Sequence, residues 1–132
     1  MTDVPKVLIA DDEQACVDFV RQSLSGVACT VVAASDGAEA LKTAQEQKPQ
    51  LIILDVQMPK LNGFEVFARL RADAQFAAVP IVMLTGVAEK TGVGFSGQDM
   101  GEYLGSQPDA YIEKPIEPII LRQTVKRLLK GK

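Results

Sequence analysis

The 132-residue chain contains no histidine. That absence removes the commonest general base and every zinc site built on imidazole, so a bound metal would be held by carboxylate and carbonyl oxygens, which favours magnesium, calcium or manganese. Cysteine is almost as scarce, with only Cys16 and Cys29. Two isolated thiols make neither a disulfide framework nor a CxxC metal or redox motif, and both are read as small buried apolar residues. Long apolar runs are missing as well: none approaches the roughly 20 residues of a membrane span. Asp3 and Pro5 ahead of a short apolar run do not make a signal peptide. Basic residues do not predominate either, since 14 Lys and Arg against 17 Asp and Glu leave a net charge of -3. That balance argues against sequence-independent nucleic-acid binding, which needs many cations facing phosphates. The expectation is a cytoplasmic protein with no membrane contact and no direct contact with DNA.

What is present describes a globular domain. A composition of 47% apolar residues with charges of both signs belongs to that class. The length suits one domain over residues 1–132, burying roughly two thirds of the surface of its unfolded chain. No linker, repeat or second domain is visible, and Met1 together with a basic final helix reads as a complete gene product.

Residues 51–63 are the stretch that organises the rest. Leu51, Ile52, Ile53 and Leu54 run straight into Asp55, and Met58 and Pro59 stop the strand just beyond. An unbroken apolar run suits a strand covered on both faces, and ligands of open parallel sheets sit outside the carboxyl ends of the strands. Taken alone, Asp55 reads equally well as a helix cap or turn acid.

Lys6, Val7, Leu8, Ile9 and Ala10 form a first strand that ends in Asp11, Asp12 and Glu13, and Val17, Val20 and Leu24 follow with helical spacing. Asp12 alone would pass as a helix N-cap, but three consecutive acids at a strand end repel one another unless a cation relieves them. Residues 29–34 are a second strand rich in β-branched side chains. Asp36 and Glu39 bracket a capping box for a helix to about Gln47, closed by Lys48 and Pro49; Asn62 and Glu65 predict another, ahead of Phe64, Phe67 and Leu70. After Val79 and Pro80, a fourth apolar run, Ile81 to Leu84, ends at Thr85 and Gly86, where the hydroxyl could simply satisfy its own turn.

Over residues 87–109 the pattern weakens. Gly92, Gly94, Gly97, Gly101 and Gly105 are dense there, and residues 92–97 spell GxGxxG without the preceding strand and strong following helix that a dinucleotide loop requires. The segment is read as a mobile, weakly helical connection. Ala110, Tyr111, Ile112 and Glu113 form a fifth strand ending at Lys114 and Pro115. A last helix carries Ile120 or Leu121, Val125 and Leu128 on one face. Arg122, Lys126, Arg127, Lys130 and Lys132 suit a solvated face at a helix C-terminus. The strand–helix alternation predicts an α/β fold, a doubly wound five-stranded parallel sheet with helices on both faces.

All carboxyl ends of such a sheet open on one edge, which gathers Asp11, Asp12, Asp55, Thr85 and Lys114. Carboxylates beside a hydroxyl and an ammonium meet the needs of phosphoryl transfer: a divalent metal and a lysine neutralise oxygen charge, a hydroxyl binds one oxygen, and an ionised carboxylate is the nucleophile.

On these residues, from Lys6 to about Leu129, the chain resembles the receiver domain of response regulators, the CheY-like phosphoacceptor module of two-component signalling. The motifs are Val7 through Glu13, Leu54 through Pro59 with Gly63, Met83 through Gly86, and Lys114 with Pro115. The resemblance implies a flavodoxin-like strand order of 2-1-3-4-5. It implies Asp55 as the phosphorylation site, fed by a sensor histidine kinase or a histidine phosphotransfer protein. It also implies magnesium or manganese held by Asp12 directly, Asp11 mainly through water, Asp55, and the main-chain carbonyl of Gln57. Lys114 would pair with Asp55 before transfer and with the phosphoryl oxygens after it, Thr85 would bind the phosphoryl group, and Tyr111 matches the switch aromatic. The Lys114–Pro115 peptide is expected to be cis. Adding about two negative charges at Asp55 would draw Thr85 and Lys114 inward and let Tyr111 follow. The readout face would lie on the fourth predicted helix, the fifth strand and the final helix.

Two features depart from the family pattern. The segment over residues 87–109 is longer and richer in glycine than the usual fourth helix, and Gln57 and Val87 occupy positions that bias access of hydrolytic water. The leading expectation is a stand-alone receiver, a monomer or phosphorylation-dependent dimer, that signals by binding a downstream protein or passing the phosphoryl group on. It is not an enzyme beyond its own phosphoryl transfer and dephosphorylation. The alternatives are a phosphorylation-independent interaction module working through residues 87–109 and a magnesium-dependent phosphohydrolase, which would need a general acid that Gln57 cannot supply.

Overall fold

The computed structural model describes residues 4–56, 58, 62–85 and 109–130. In chain order the elements are β1 (Lys6–Ala10), α1 (Gln14–Ser23), β2 (Thr30–Ala34), α2 (Gly37–Gln47), β3 (Leu51–Asp55), α3 (Gly63–Ala72), β4 (Ile81–Thr85), β5 (Ala110–Glu113) and α4 (Pro118–Lys130). The strands form one five-stranded sheet in the order β2-β1-β3-β4-β5, with every pairing parallel. Fold class and strand order are those the sequence predicted.

The continuous apolar strands are explained by a core on each face of the sheet. Alternate residues of a strand point to opposite faces. Leu8, Ile52, Leu54, Ile81 and Met83 pack with Ala40 and Ala44 of α2 and with Val66, Phe67 and Leu70 of α3. Val7, Ile9, Ile53, Val82 and Leu84 pack with Val17 and Val20 of α1 and with Leu121 and Val125 of α4. The final helix therefore turns Leu121 inward, while Ile120 is exposed. Arg122 departs from the solvated-face expectation, since its Nη1 donates to the Ser23 carbonyl at the end of α1 at 3.3 Å.

Helix starts follow local chemistry with two adjustments. Asn62 accepts from the Glu65 amide while Glu65 accepts from the Asn62 amide, the reciprocal box that the sequence predicted. At α2 the Asp36 side chain caps the Glu39 amide, but the Glu39 carboxylate turns back to the amide and hydroxyl of Ser35, one residue upstream of the expected cap. At α1 the cap position falls to Glu13 and not to Asp12, with no side-chain cap bond of its own. The strand end leaves Asp11 nearer, and Asp11 Oδ1 accepts the Glu13 amide at 2.9 Å. Lys48 closes α2 in the left-handed conformation at φ 51°. Cys16 and Cys29 are half-buried at the margin of the core on the α1 and α4 side, not fully buried as expected.

Gly63 is required by packing. It begins α3, and its amide donates to the Val56 carbonyl at 2.8 Å, which draws the helix start against the end of β3. A Cβ there would collide with the carbonyl oxygen of Asp55 and crowd the Val56 Cα, both backbone atoms that cannot swing aside. Gly26 has open space around its missing Cβ. Gly63→Ala is expected to destabilise the fold by about 1–3 kcal/mol and Gly26→Ala to stay within about 0.5 kcal/mol of the natural chain, as read from urea unfolding of the two variants side by side.

Candidate phosphoacceptor and cation site

The hydrogen-bonded ladder continues past the strand ends and fixes the backbone of the polar residues there. Asp11 N donates to the Ala34 carbonyl at 3.0 Å, Val56 N, just after Asp55, to Leu84 O at 3.2 Å, and Lys114 N to Thr85 O at 2.7 Å. The carboxyl ends of β1, β3, β4 and β5 thus form one rigid rim.

On that rim the structure brings Asp11, Asp12, Asp55 and Lys114 together. One carboxylate oxygen from each of the three aspartates lies within 4.8 Å of the other two. Asp11 and Asp55 are only 1% and 4% exposed, whereas Asp12 faces solvent. Lys114 Nζ donates to Asp55 Oδ1 at 3.0 Å and to Asp11 Oδ2 at 3.4 Å. The Lys114–Pro115 peptide is cis. Thr85 is half-buried at the end of β4, and Tyr111 is half-buried on β5 opposite Met83. Tyr111 packs against the core shared with α2 and α3, and its hydroxyl is buried with no hydrogen-bond partner among the described residues. Burial raises the Tyr111 pKa. Gln57, Val87 and the glycine-rich segment up to residue 108 lie outside the described residues.

Charge is unbalanced in this pocket. Burial is the main force that raises the Asp55 pKa, to about 6, with the Asp11 and Asp12 charges adding to it and Lys114 working against it. For Lys114, burial lowers the pKa, but the hydrogen bond to Asp55 and the charges of Asp55 and Asp11 outweigh it, so the ammonium is held more firmly than usual. Among the described residues, one ammonium amid three carboxylates leaves a net negative pocket with carboxylate oxygens as donors. Such a donor set fits a hard divalent cation, and Asp11, Asp12 and Asp55 are the residues that would hold it.

The family model for the response regulator receiver domain matches residues 7–126, nearly the whole described fold. The chain belongs to that family. It is therefore a receiver of the kind used in two-component signalling. The receiver is 40% identical over 125 residues to the alkaline phosphatase synthesis transcriptional regulatory protein PhoP of Bacillus subtilis, a match covering 95% of this chain and 48% of that protein. It spans about half the length of the curated relatives it matches. Among solved structures, the chemotaxis response regulator CheY4 of Vibrio cholerae is 33% identical with a TM-score of 0.79, the match covering 96% of this chain and 99% of that one. The receiver domain of AraT, a response regulator from Geobacillus stearothermophilus, is 29% identical with a TM-score of 0.80, covering 98% and 95% of the two chains.

One residue at the rim escaped the sequence reading. Cys16, in the first turn of α1, is half-buried, and its pKa is pushed up to about 12 by burial and by the nearby charges of Asp11 and Asp55. An isolated cysteine carries no motif that would single it out.

The raised Asp55 pKa has a thermodynamic consequence with a definite sign. Between the ordinary carboxylate pKa of 3.8 and about 6, the folded state holds a proton that the unfolded state has released. Stability therefore falls as pH rises through that window and reaches its lower level above it. Asp55→Asn removes this cost. In metal-free buffer the variant is expected to be the more stable by on the order of 1–3 kcal/mol at pH 7, with the gap shrinking towards pH 4 in denaturation curves at several pH values.

Proposed function

We propose that this receiver accepts a phosphoryl group on Asp55 from a phosphohistidine of a sensor histidine kinase or histidine phosphotransfer protein, and that it signals through protein contacts that follow. The observation that carries this reading is the buried Asp55 carboxylate held by Lys114 within an oxygen-lined acidic cluster.

Asp55 Oδ attacks the phosphorus; an O–P bond forms, the P–N bond to the donor imidazole breaks, and the imidazole departs with the electron pair. At neutral pH Asp55 is largely ionised, since its pKa of about 6 lies below the medium, so the nucleophile needs no separate base. Lys114 holds the acceptor carboxylate in one orientation beforehand and follows the charge onto the phosphoryl oxygens afterwards. Thr85, one residue beyond the pairing partner of Asp55 on β4, supplies the hydroxyl for another of those oxygens. Magnesium or manganese bound by Asp11, Asp12, Asp55 and the main-chain carbonyl of Gln57 would supply the remaining positive charge. Tyr111 is the readout: its buried hydroxyl, without a partner among the described residues, makes its position sensitive to a shift of Thr85.

The proposed setting is the cytoplasm. No helix among the described residues is long and apolar enough to cross a membrane. Net charge of -3 favours a protein partner over bare nucleic acid. In this reading the protein catalyses only its own phosphoryl transfer and loss, which agrees with Asp55 having the Lys114 ammonium as its hydrogen-bonded side-chain neighbour among the described residues.

Incubation with acetyl phosphate and magnesium, followed by intact-protein mass measurement, is expected to show one added phosphoryl group on the natural chain and none on Asp55→Asn or without the metal. Absence of the addition, with magnesium binding demonstrated, would sink the phosphoacceptor reading and leave a phosphorylation-independent interaction module. Repeated turnover of a small phosphate ester would instead point to a phosphohydrolase.

A further inference from the structure

β5 has little of its own to hold it in the sheet. It is four residues long, stands at one edge with β4 as its strand neighbour, and buries only Ile112 fully. A short edge strand with few buried contacts frays unless something besides its ladder holds it. The carboxyl end is tied to the acceptor site, through Lys114 Nζ on Asp55 at 3.0 Å and Lys114 N on Thr85 O at 2.7 Å. The amino end is tied elsewhere, by a group that the proposed transfer does not use.

Asp109 immediately precedes β5. Its main-chain N donates to the Ile81 carbonyl at 2.9 Å while its Oδ2 accepts the Ile81 amide at 2.8 Å, so main chain and side chain close together on the first residue of β4. The same Oδ2 accepts Arg71 Nη2 at 2.8 Å. Arg71 lies in the last turn of α3, where its Nη1 donates to Val79 O at 2.7 Å and to Phe76 O at 3.3 Å. Its guanidinium carbon stands 5.1 Å from the centre of the Phe67 ring. One guanidinium thus joins the end of α3, the turn over residues 73–80 and, through Asp109, the starts of β4 and β5. An exposed ion pair contributes little because two long side chains must be immobilised to form it. Here the Arg71 side chain is 16% exposed and each partner is also bonded to main chain, which holds both in place for the other.

The pair also completes a ring of contacts. α3 begins against the Asp55 carbonyl at Gly63 and ends at Arg71; from there the ring crosses to Asp109, follows β5 to Lys114 and returns to Asp55. We infer that Arg71 and Asp109 are positioning residues, a fastening that holds the amino end of β5, and with it Tyr111, at a fixed place relative to the acceptor loop without taking part in the chemistry at Asp55. The value of that placement for a readout rests on the proposed function; the fastening itself does not.

Residue-resolved amide hydrogen exchange on the full chain tests the fastening. Arg71→Met keeps an apolar stem against Phe67 and removes every donor; Asp109→Asn keeps an oxygen for the Ile81 amide and removes the charge that Arg71 meets. Asp109→Asn is expected to speed exchange at the β5 amides about three- to tenfold, and Arg71→Met to do so both there and over residues 73–80. The amides of β2, at the opposite edge, are expected to keep their natural rates. The double variant is expected to exchange at β5 within about twofold of Arg71→Met alone, because both substitutions open one joint. Unchanged exchange at β5 overturns the inference even if the melting temperature falls, and an equal rise at β2 and β5 overturns it too, since the pair then serves the whole fold. Single effects that multiply in the double variant also overturn it. The initial rate of phosphorylation by acetyl phosphate at saturating magnesium is expected to stay within about twofold of the natural chain in both single variants. A loss of about tenfold or more in a variant that melts cooperatively overturns the separation from the chemistry. Failure of the natural chain to take up a phosphoryl group strikes the phosphoacceptor reading instead, and exchange measured in metal-free buffer still decides the fastening.

Discussion

The rest of this receiver depends on holding like charges together out of water. Asp11 and Asp55 are almost fully buried, Asp12 stands beside them, and the Lys114 ammonium bridges the buried pair. Coulomb repulsion between carboxylates at this range is strong in a medium less polar than water, and burial adds its own penalty on the ionised form. Both show in the upward displacement of the Asp55 pKa to about 6. The cluster persists because its backbone is not free to move apart. Each acidic strand end is hydrogen-bonded into its neighbour, and each strand is clamped between two apolar layers.

Among the described residues the pocket carries excess negative charge on carboxylate oxygens, a donor set that suits a hard cation, and under the proposed function a cation together with Lys114 would offset the cost of the ionised Asp55 carboxylate. The rigid rim also gives a small charge change somewhere to act. Thr85 and Lys114 are joined through their backbones at 2.7 Å, so a change that moves one is carried to the other. Tyr111, on β5, stands three residues before Lys114, with a buried hydroxyl that lacks a partner among the described residues. Under the proposed function, this aromatic is where occupancy of the site would become a difference in shape.

Packing on the other side of Asp55 is equally strict. The start of α3 is pulled onto the end of β3 by the bond from the Gly63 amide to the Val56 carbonyl, and only a glycine fits beneath the Asp55 carbonyl. The reciprocal Asn62 and Glu65 cap sets where that helix begins. The cap, the glycine and the strand end act together to hold the acceptor loop, and the chemistry at Asp55 inherits its geometry from them.

The sequence by itself determined the architecture, because each strand is an unbroken apolar run ended by a polar residue and each helix has a strong period. It also determined the membership of the rim: Asp11, Asp12, Asp55 and Lys114 were legible because strand ends of a parallel sheet must share one edge. Local caps were legible where the exchange of bonds is between near neighbours, as at Asn62. Where two nearby acceptors compete, at Ser35 with Asp36 and at Asp11 with Glu13, the choice turned on the exact exit angle of a strand. Tertiary structure alone decided that Leu121 and not Ile120 turns inward, and that Gly63 lies beneath the Asp55 carbonyl. Those facts depend on how a helix is rotated and how closely it approaches the sheet. Periodicity fixes which residues share a face, but the rotation and approach are set by the summed fit of side chains from elements far apart in the chain.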